Sequence, residues 1–149
     1  MAKVENKTLQ LSDPGQGLGM QLLKARDILL SEYRPVFREH NLTEQQWRIL
    51  RFLVLQSPMD AASLSEKSVI LAPSLTRIMR DLETRGLVVK SRNTIGPSRI
   101  HISITAEGKA LVESMFPQIA ERLQKVSSRL EPEERDQLKA LLNKLIAGR

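Results

Sequence analysis

The segment Pro73–Arg85 places small hydroxyl side chains and arginines at helical spacing. Its apolar residues fall on one stripe of the predicted helix, which leaves the opposite face polar. That polar face carries Ser74, Thr76, Arg77, Arg80, Asp81 and Thr84. Hydroxyl and backbone N–H groups near a helix N-terminus bind phosphates, and arginine side chains read guanine edges. The segment therefore predicts a helix that contacts DNA, and the alternative is the solvated face of an ordinary surface helix.

Two further arginines bracket the loop "NTIGPS" at residues 93–98, with Arg92 before the loop and Arg99 after it. The flanking runs "LVVKSR" and "RIHISIT" read as strands, because isoleucines alternate with polar residues in the second run. A basic hairpin beside a groove-binding helix supplies a second contact, to the minor groove. These runs predict a β-hairpin wing in which Arg92 and Arg99 contact DNA.

The elements next to the predicted groove helix complete a DNA-binding arrangement. The short helix "AASLSEKS" precedes it across the tight linker "VILA", which is a helix-turn-helix pattern. Pro73 suits the first helical turn, and Gly86 suits the residue after the last turn. Together with the hairpin, this order predicts a winged helix-turn-helix module.

Longer helices flank this module. Apolar residues recur at helical spacing from Leu18 to about Glu39, and Pro35 predicts a kink or an interruption in that helix. The run "NLTEQQW" predicts the start of a second helix, with Asn41 or Thr43 as its N-cap. A long helix that contains Pro117 and a final helix follow the hairpin. The fold class is therefore mainly α with a small β-hairpin wing.

This pattern also predicts how the chain is organised. Residues 1–17 lack hydrophobic periodicity and read as a flexible N-terminal arm, followed by a single domain over residues 18–149. Within that domain we expect the winged helix-turn-helix over residues 41–104. The remaining helices of the domain lie over residues 18–40 and 105–149.

Composition narrows the class of function. The 149 residues carry a net charge of +6, which favours an anionic partner such as nucleic acid. There is no cysteine, and the two histidines show no ligand spacing with acidic residues, so we expect no metal site and no cofactor. No phosphate-binding loop or nucleophile motif is present, so an enzyme is not expected. No run is long enough for a membrane span or a secretion signal, and we expect a cytoplasmic protein.

The whole arrangement resembles the MarR family of winged helix-turn-helix regulators over residues 18–146. The matching motifs are "PSLTRIMRDLETRGLV", "RIHISIT" and the following "AEG". The segments "LLKARDILLSEYRP" and "HNLTEQQWRIL" are similar to the regulators of homoprotocatechuate (aromatic acid) catabolism within that family. The resemblance implies that Pro73, Ser74 and Arg77 meet DNA, with Arg77 reading a base. It also implies a homodimer that binds a pseudo-palindromic site on double-stranded DNA. The dimerisation helices would be the first and last ones, over residues 18–40 and 105–149.

A heptad-like seam on the long helix supports dimerisation independently of the resemblance. Its members are Val112, Phe116, Ile119, Leu123, Val126 and Leu130. Such a stripe on a terminal helix calls for a partner, and the alternative is packing within one chain. The predicted dimer interface comprises Leu22, Phe116, Ile119, Leu123, Leu138 and Leu142.

The predicted wing departs from the family pattern. The wing of the family usually carries an Asp-x-Arg pair whose arginine enters the minor groove, but Gly96 and Ser98 stand at those positions here. Either Arg92 or Arg99 would have to replace that arginine. Without the aspartate to hold it, we expect a weaker wing contact.

A second group of residues predicts a small-molecule site. Arg26 shares an apolar stripe with Tyr33, where an unpaired charge would be costly, and His40 lies at the junction of the first two helices. Trp47 and Arg51 lie one helical turn apart on the second helix. An aromatic acid would use arginine for its carboxylate, Trp and Tyr for its ring, and His for a phenol hydroxyl. The alternative is that Arg26 pairs with a carboxylate of the dimer partner and Trp47 is a core residue.

The residue patterns predict a DNA-binding regulator. The resemblance implies that it represses an aromatic-compound catabolic operon and is released by a phenolic or aromatic carboxylic acid. The alternative is a basic helical adaptor that binds an acidic protein and has no specific affinity for DNA. Binding to one palindrome with a steep salt dependence would separate the first function from the second.

Overall fold

The structure, a computed structural model, describes residues 13–92 and 99–148. A single 3₁₀ turn, Pro14–Gln16, precedes the first helix. The helices are α1 Leu18–Glu39, α2 Glu44–Leu55, α3 Ala61–Ser68, α4 Ala72–Thr84, α5 Ala106–Ser127 and α6 Pro132–Ile146. The strands are β1 Met59–Asp60, β2 Val88–Arg92 and β3 Ile100–Ile104. The predicted fold class, mainly α with a small wing, is confirmed.

The helix-turn-helix is formed by α3 and α4, and local interactions set its limits. Asp60 caps α3 by accepting a hydrogen bond from the Ser63 backbone N–H at 2.9 Å. Val69 ends that helix in the left-handed conformation, with φ of 54°. Pro73 lies in the first turn of α4, and Gly86 follows the helix with φ of 71°. The predicted roles of Pro73 and Gly86 are confirmed, although α4 begins and ends one residue earlier than predicted.

The wing belongs to a three-stranded antiparallel sheet with the order β1-β3-β2. The hairpin pairs Arg92 with Ile100, and β1 adds Asp60 opposite His101 on the other side of β3. The sequence pattern missed β1, because two residues are too few to show alternation. The wing loop, residues 93–98, and most of the predicted N-terminal arm, residues 1–12, lie outside the described residues.

The core lies where α1, α2, α4, α5 and the sheet meet. Leu50, Leu53 and Leu82 are completely buried, and Ile102 fills the inner face of the sheet. The predicted half-buried strand is less regular than expected, because Ile100 at the outer end of β3 is 41% exposed. Among the described helices, none is both long and apolar enough to cross a lipid bilayer.

Two prolines lie inside helices without ending them. The predicted interruption at Pro35 is absent, since α1 continues to Glu39, and α5 likewise continues past Pro117. Proline removes one backbone hydrogen bond to the carbonyl four residues earlier. Ser31 and Glu113 occupy those earlier positions and are both exposed, so water can satisfy the released carbonyls.

The wing is fixed to α5 by a close junction. The Thr105 hydroxyl donates to the Gly86 carbonyl at 2.7 Å and accepts from the Gly108 N–H at 3.0 Å. A methyl group at position 108 would overlap the Leu87 carbonyl oxygen, so only glycine fits there. The "AEG" motif therefore places the end of the hairpin directly against the first turn of α5.

Candidate functional site

The outer face of α4 has the predicted character. The apolar stripe of Leu75, Ile78, Met79 and Leu82 is buried. The predicted contact residues Pro73, Thr76, Arg77 and Arg80 are exposed, and Ser74 is half-buried. Residues three and four apart share a helix face, so Pro73, Arg77 and Arg80 form one continuous row.

The charges of α4 are arranged so that its cations remain available. Asp81 accepts a hydrogen bond from the Gln46 amide, and Glu83 forms an ion pair with Lys90 at 3.5 Å. Within the described ranges, no hydrogen bond or ion pair engages the side chain of Arg77 or Arg80. The acidic side chains are therefore held by neighbouring elements, while both arginines face solvent.

The N-terminus of α4 is also open to an anion. Leu71 is its N-cap residue and offers no capping side chain, and the first turn holds no acidic residue. The first N–H groups of a helix lack intrahelical partners and attract phosphate groups. The Thr76 hydroxyl donates a hydrogen bond to the Ala72 carbonyl at 3.0 Å, so its proton is already used within the helix.

Arg92 and Arg99 lie at the two edges of the undescribed wing loop. Arg92 is the last residue of β2 and pairs with Ile100, and Arg99 directly precedes β3. Both are exposed. The missing pair at Gly96 and Ser98 falls in the loop itself, outside the described residues.

A cavity of about 340 Å³ opens between α1 and α2. Small-molecule sites enclose roughly 300–1,000 Å³, so this volume suits a small ligand. The lining residues are Leu30, Tyr33, Phe37, Glu44, Trp47, Arg48, Arg51, Phe52 and Leu55. The predicted residues Tyr33, Trp47 and Arg51 are thus brought together at one site.

The aromatic residues of the chain either line this cavity or contact a residue that lines it. The sequence holds one Trp, one Tyr and three Phe. Four of them line the cavity, and the fifth, Phe116 on α5, lies 5.6 Å from the guanidinium of Arg51. The ring of Trp47 lies 5.9 Å from the same guanidinium, so two aromatic faces hold Arg51. The cavity therefore contains the positively charged guanidinium of Arg51 among aromatic rings.

Glu44 connects the polar groups at the edge of the cavity. Its Oε2 accepts from Arg26 and from Arg48, each at 3.2 Å. The Nε of Arg48 is buried and has no hydrogen-bond partner among the described residues. Burial raises the pKa of the Tyr33 phenol above its ordinary value, and the positive charge of Arg51 offsets part of that rise. The phenol is therefore neutral at physiological pH and can donate a hydrogen bond.

Two predicted ligand residues lie outside the lining. Arg26 is half exposed and pairs with Glu44 of its own chain, rather than standing as an unpaired charge. His40 is the C-cap residue that follows α1, and its backbone carbonyl accepts a hydrogen bond from the Arg85 guanidinium at 3.3 Å. Sequence reasoning missed four polar or aromatic lining residues: Phe37, Glu44, Arg48 and Phe52. The sequence did hold a signal for them. Phe37 is four residues from Tyr33, and Glu44, Arg48 and Phe52 follow one another at intervals of four, which places each set on one helix face.

The predicted dimer residues fall into two groups. Leu22, Phe116, Leu123 and Leu138 are between 40% and 48% exposed, and Leu142 is half-buried. Ile119 instead lies in the core of its own chain, with 4% exposure. The heptad-like seam of α5 therefore divides between two environments. Some of its residues pack into the core of the same chain, and others remain on the surface, where a second chain could contact them. No residue of α6, which the structure describes from end to end, is buried.

The chain is similar in sequence and in fold to known regulators. Residues 42–94 match the MarR family model. The chain is 39% identical over 130 residues to the homoprotocatechuate degradative operon repressor of Escherichia coli, covering 87% of this chain and 88% of that protein. It is 35% identical over 128 residues to the HTH-type transcriptional regulator FarR of Neisseria gonorrhoeae, covering 86% and 88%. The crystal structure of NadR in complex with 4-hydroxyphenylacetate matches with a TM-score of 0.78 and 34% identity, covering 90% and 95%.

Proposed function

The chain belongs to the MarR family of transcriptional regulators, and from this premise we propose that it represses an operon for the degradation of aromatic compounds. It acts as a cytoplasmic homodimer on a pseudo-palindromic DNA site. A phenolic or aromatic carboxylic acid binds the cavity between α1 and α2 and releases the DNA.

The exposed row on α4 supports the assignment of the DNA contacts. Arg77 and Arg80 project from a helix whose acidic residues are already engaged, and its N-terminus is open to phosphate. We assign base reading to Arg77, backbone contacts to Pro73, Ser74, Thr76 and Arg80, and wing contacts to Arg92 and Arg99.

The unburied apolar residues of the long helices support the homodimer. A helix of about 15 residues is marginal in water without tertiary packing. Yet α6 buries none of its own residues, while Leu138, Leu141 and Leu145 are at least 46% exposed. Leu22 on α1 and Leu123 on α5 extend the same kind of surface. A second copy of the chain would cover these residues and complete the packing of α6.

The effector assignment rests on one observation: Arg51 lines a cavity together with four of the five aromatic residues of the chain and contacts the fifth, Phe116. An aromatic carboxylic acid matches this site, because its ring would pack on Trp47 and Tyr33 while its carboxylate would pair with the guanidinium. Glu44 and Arg48 offer polar groups to a hydroxyl at the opposite end of the ligand. NadR, which shares 34% identity with the chain, has been crystallised with 4-hydroxyphenylacetate, an acid of this class.

One experiment with two variants tests both halves of the proposal. Binding of 4-hydroxyphenylacetate is followed by the fluorescence of Trp47, the single tryptophan, and binding of a labelled operator duplex is followed by anisotropy. Arg77→Ala should weaken DNA binding by roughly 1–3 kcal/mol and leave acid binding intact. Arg51→Gln should weaken acid binding roughly 10- to 100-fold, because a charge-assisted bond is lost, and leave DNA binding intact.

Arg129→Gln is the matched control, because it removes an exposed arginine that lies two residues beyond the end of α5 and belongs to neither site. It should change neither equilibrium. The effector assignment is wrong if this class of acid does not bind at millimolar concentration or binds Arg51→Gln as tightly as the wild type. The DNA assignment is wrong if Arg77→Ala binds the operator with unchanged affinity.

A further inference from the structure

We propose that Asp60, on the short strand β1, positions Arg99 of the wing for its contact with DNA. This inference rests on the proposed DNA-binding function and adds a residue from outside the helix-turn-helix face and the hairpin.

Sheet register brings the two residues together. Asp60 lies opposite His101 across the β1–β3 pair, and Arg99 lies two residues before His101. Side chains two apart on a strand share a face, so Asp60 and Arg99 are diagonal neighbours on one side of the sheet. Diagonal neighbours are within reach of a long side chain. Both residues line one surface depression, together with Ser63 and Glu66.

The Asp60 carboxylate is rigid and charged. Its Oδ1 accepts from the Ser63 N–H at 2.9 Å, and its Oδ2 accepts from the Ser63 hydroxyl at 2.8 Å. The bond from the Ser63 backbone is the main reason that the pKa of Asp60 is lowered, and the nearby charge of Arg99 lowers it further. The carboxylate is therefore a negative charge held in place beside the exposed cation of Arg99.

The Asp60 carboxylate attracts the Arg99 guanidinium, but these two described residues do not form a direct ion pair. Among the ion pairs of the described residues, none joins these two side chains directly, and Arg99 is exposed. Attraction to a fixed carboxylate limits the directions in which the arginine extends, while its guanidinium stays free to bind DNA. The loop positions Gly96 and Ser98 lack the aspartate and arginine that the family usually carries there. Asp60 and Arg99 would supply the same two charges from different strands.

A purely structural role for Asp60 makes the opposite prediction. Asp60 is the N-cap of α3, and asparagine caps helices about as well as aspartate. Asp60→Asn therefore keeps the cap and removes only the charge. If the carboxylate had no positioning role, its removal would reduce repulsion with DNA and tighten binding.

The test is a double-mutant cycle at one fixed salt concentration. It measures affinity for one DNA duplex, which carries the inverted repeat that the wild type selects from random-sequence DNA. The four proteins are the wild type, Asp60→Asn, Arg99→Gln and the double variant, with equal thermal unfolding temperatures as the check on folding. We expect Asp60→Asn to weaken binding about two- to fivefold, the range for ordering an exposed ion pair. In the Arg99→Gln background, the same change should leave binding unchanged or tighten it. Glu66→Gln, which removes another carboxylate from the same depression, should not weaken binding.

Several results would overturn the inference. Tighter or equal binding by Asp60→Asn would show that the carboxylate only repels DNA. An equal loss in both backgrounds would show that it acts without Arg99. If Arg99→Gln has no effect while Arg77→Ala does, the wing inference fails and the proposed DNA-binding function stands. If the wild type itself does not prefer an operator duplex, the proposed function fails as well.

Discussion

Replacing Gln46 by glutamate tests the connection between the cavity helix and the DNA-contacting helix. Gln46 lies in the first turn of α2 and is 7% exposed. Its Oε1 accepts from the Thr43 N–H at 3.0 Å, and its Nε2 donates to the Asp81 carboxylate on α4. Glutamate has nearly the same shape and keeps the acceptor for Thr43. It loses the donor and brings a second carboxylate towards Asp81.

The structure sets the size of the effect at neutral pH. A hydrogen bond to a charged group contributes about 1.5–3 kcal/mol. Repulsion between two unit charges about 4 Å apart adds roughly 1–4 kcal/mol, depending on the effective dielectric. The new negative charge also interacts favourably with the N-terminus of α2, which offsets about 0.3–1 kcal/mol of this loss. Gln46→Glu should therefore lower the free energy of unfolding by roughly 2–6 kcal/mol, a large part of the roughly 5–15 kcal/mol that proteins possess.

The deficit should depend on pH with a definite sign. In the folded variant, burial and the Asp81 charge raise the pKa of the new carboxyl group at position 46 above its unfolded value of about 4.3. Below that unfolded value the acid is protonated in both states and can donate to Asp81, so little stability is lost. As pH rises through the raised folded pKa, the deficit relative to the wild type grows to its full size.

Urea unfolding followed by circular dichroism measures the deficit at pH 7 and again near pH 4.5, at one protein concentration. Gln45→Glu is the matched control, because Gln45 is the exposed neighbour in the same helical turn. It should change the unfolding free energy by less than about 0.5 kcal/mol. The reasoning is refuted if the two variants are equally stable at pH 7, or if acidification does not narrow the gap between Gln46→Glu and the wild type.

Two further predictions concern the wing junction and the cavity. Gly108→Ala should lower the free energy of unfolding by at least about 2 kcal/mol, measured by thermal unfolding, because its methyl group overlaps the Leu87 carbonyl. Gly19→Ala is the control, because its methyl group meets nothing within 4 Å and the change should be neutral or stabilising. Similar effects of the two changes would contradict the close approach at Gly108. Tyr33, the single tyrosine, should ionise above its ordinary pKa of 10.0, because burial favours the neutral phenol. Absorbance of the tyrosinate measures this pKa. The stability that the buried neutral phenol contributes is fully present below pH 10.0 and is lost as pH rises through the raised pKa. Arg51→Gln should raise the Tyr33 pKa further, and a midpoint at or below 10.0 in the folded wild type would contradict the burial of the phenol.

The sequence by itself determined the features that depend on neighbouring residues. The buried stripe of α4 follows from the three- and four-residue spacing of its apolar side chains. Its limits follow from Pro73 and Gly86, and the start of α2 follows from the capping box of Thr43 and Gln46. The position of the hairpin follows from two strand-like runs on either side of a polar loop, with a clear alternation of apolar and polar residues in the second run. Each of these features rests on contacts within a few residues, so it is readable along the chain.

Only the tertiary structure decided which surfaces meet. Tyr33 on α1, Trp47 and Arg51 on α2, and Phe116 on α5 form one site because of how these helices are rotated and packed against each other. The same rotation sends Ile119 into the core and leaves Phe116, one helical turn away, at the surface. The strand β1 exists because β3 offers an edge to Met59 and Asp60, which no local pattern records. These outcomes depend on contacts between residues distant in the chain, and periodicity gives the face of a helix but not the element that this face will meet.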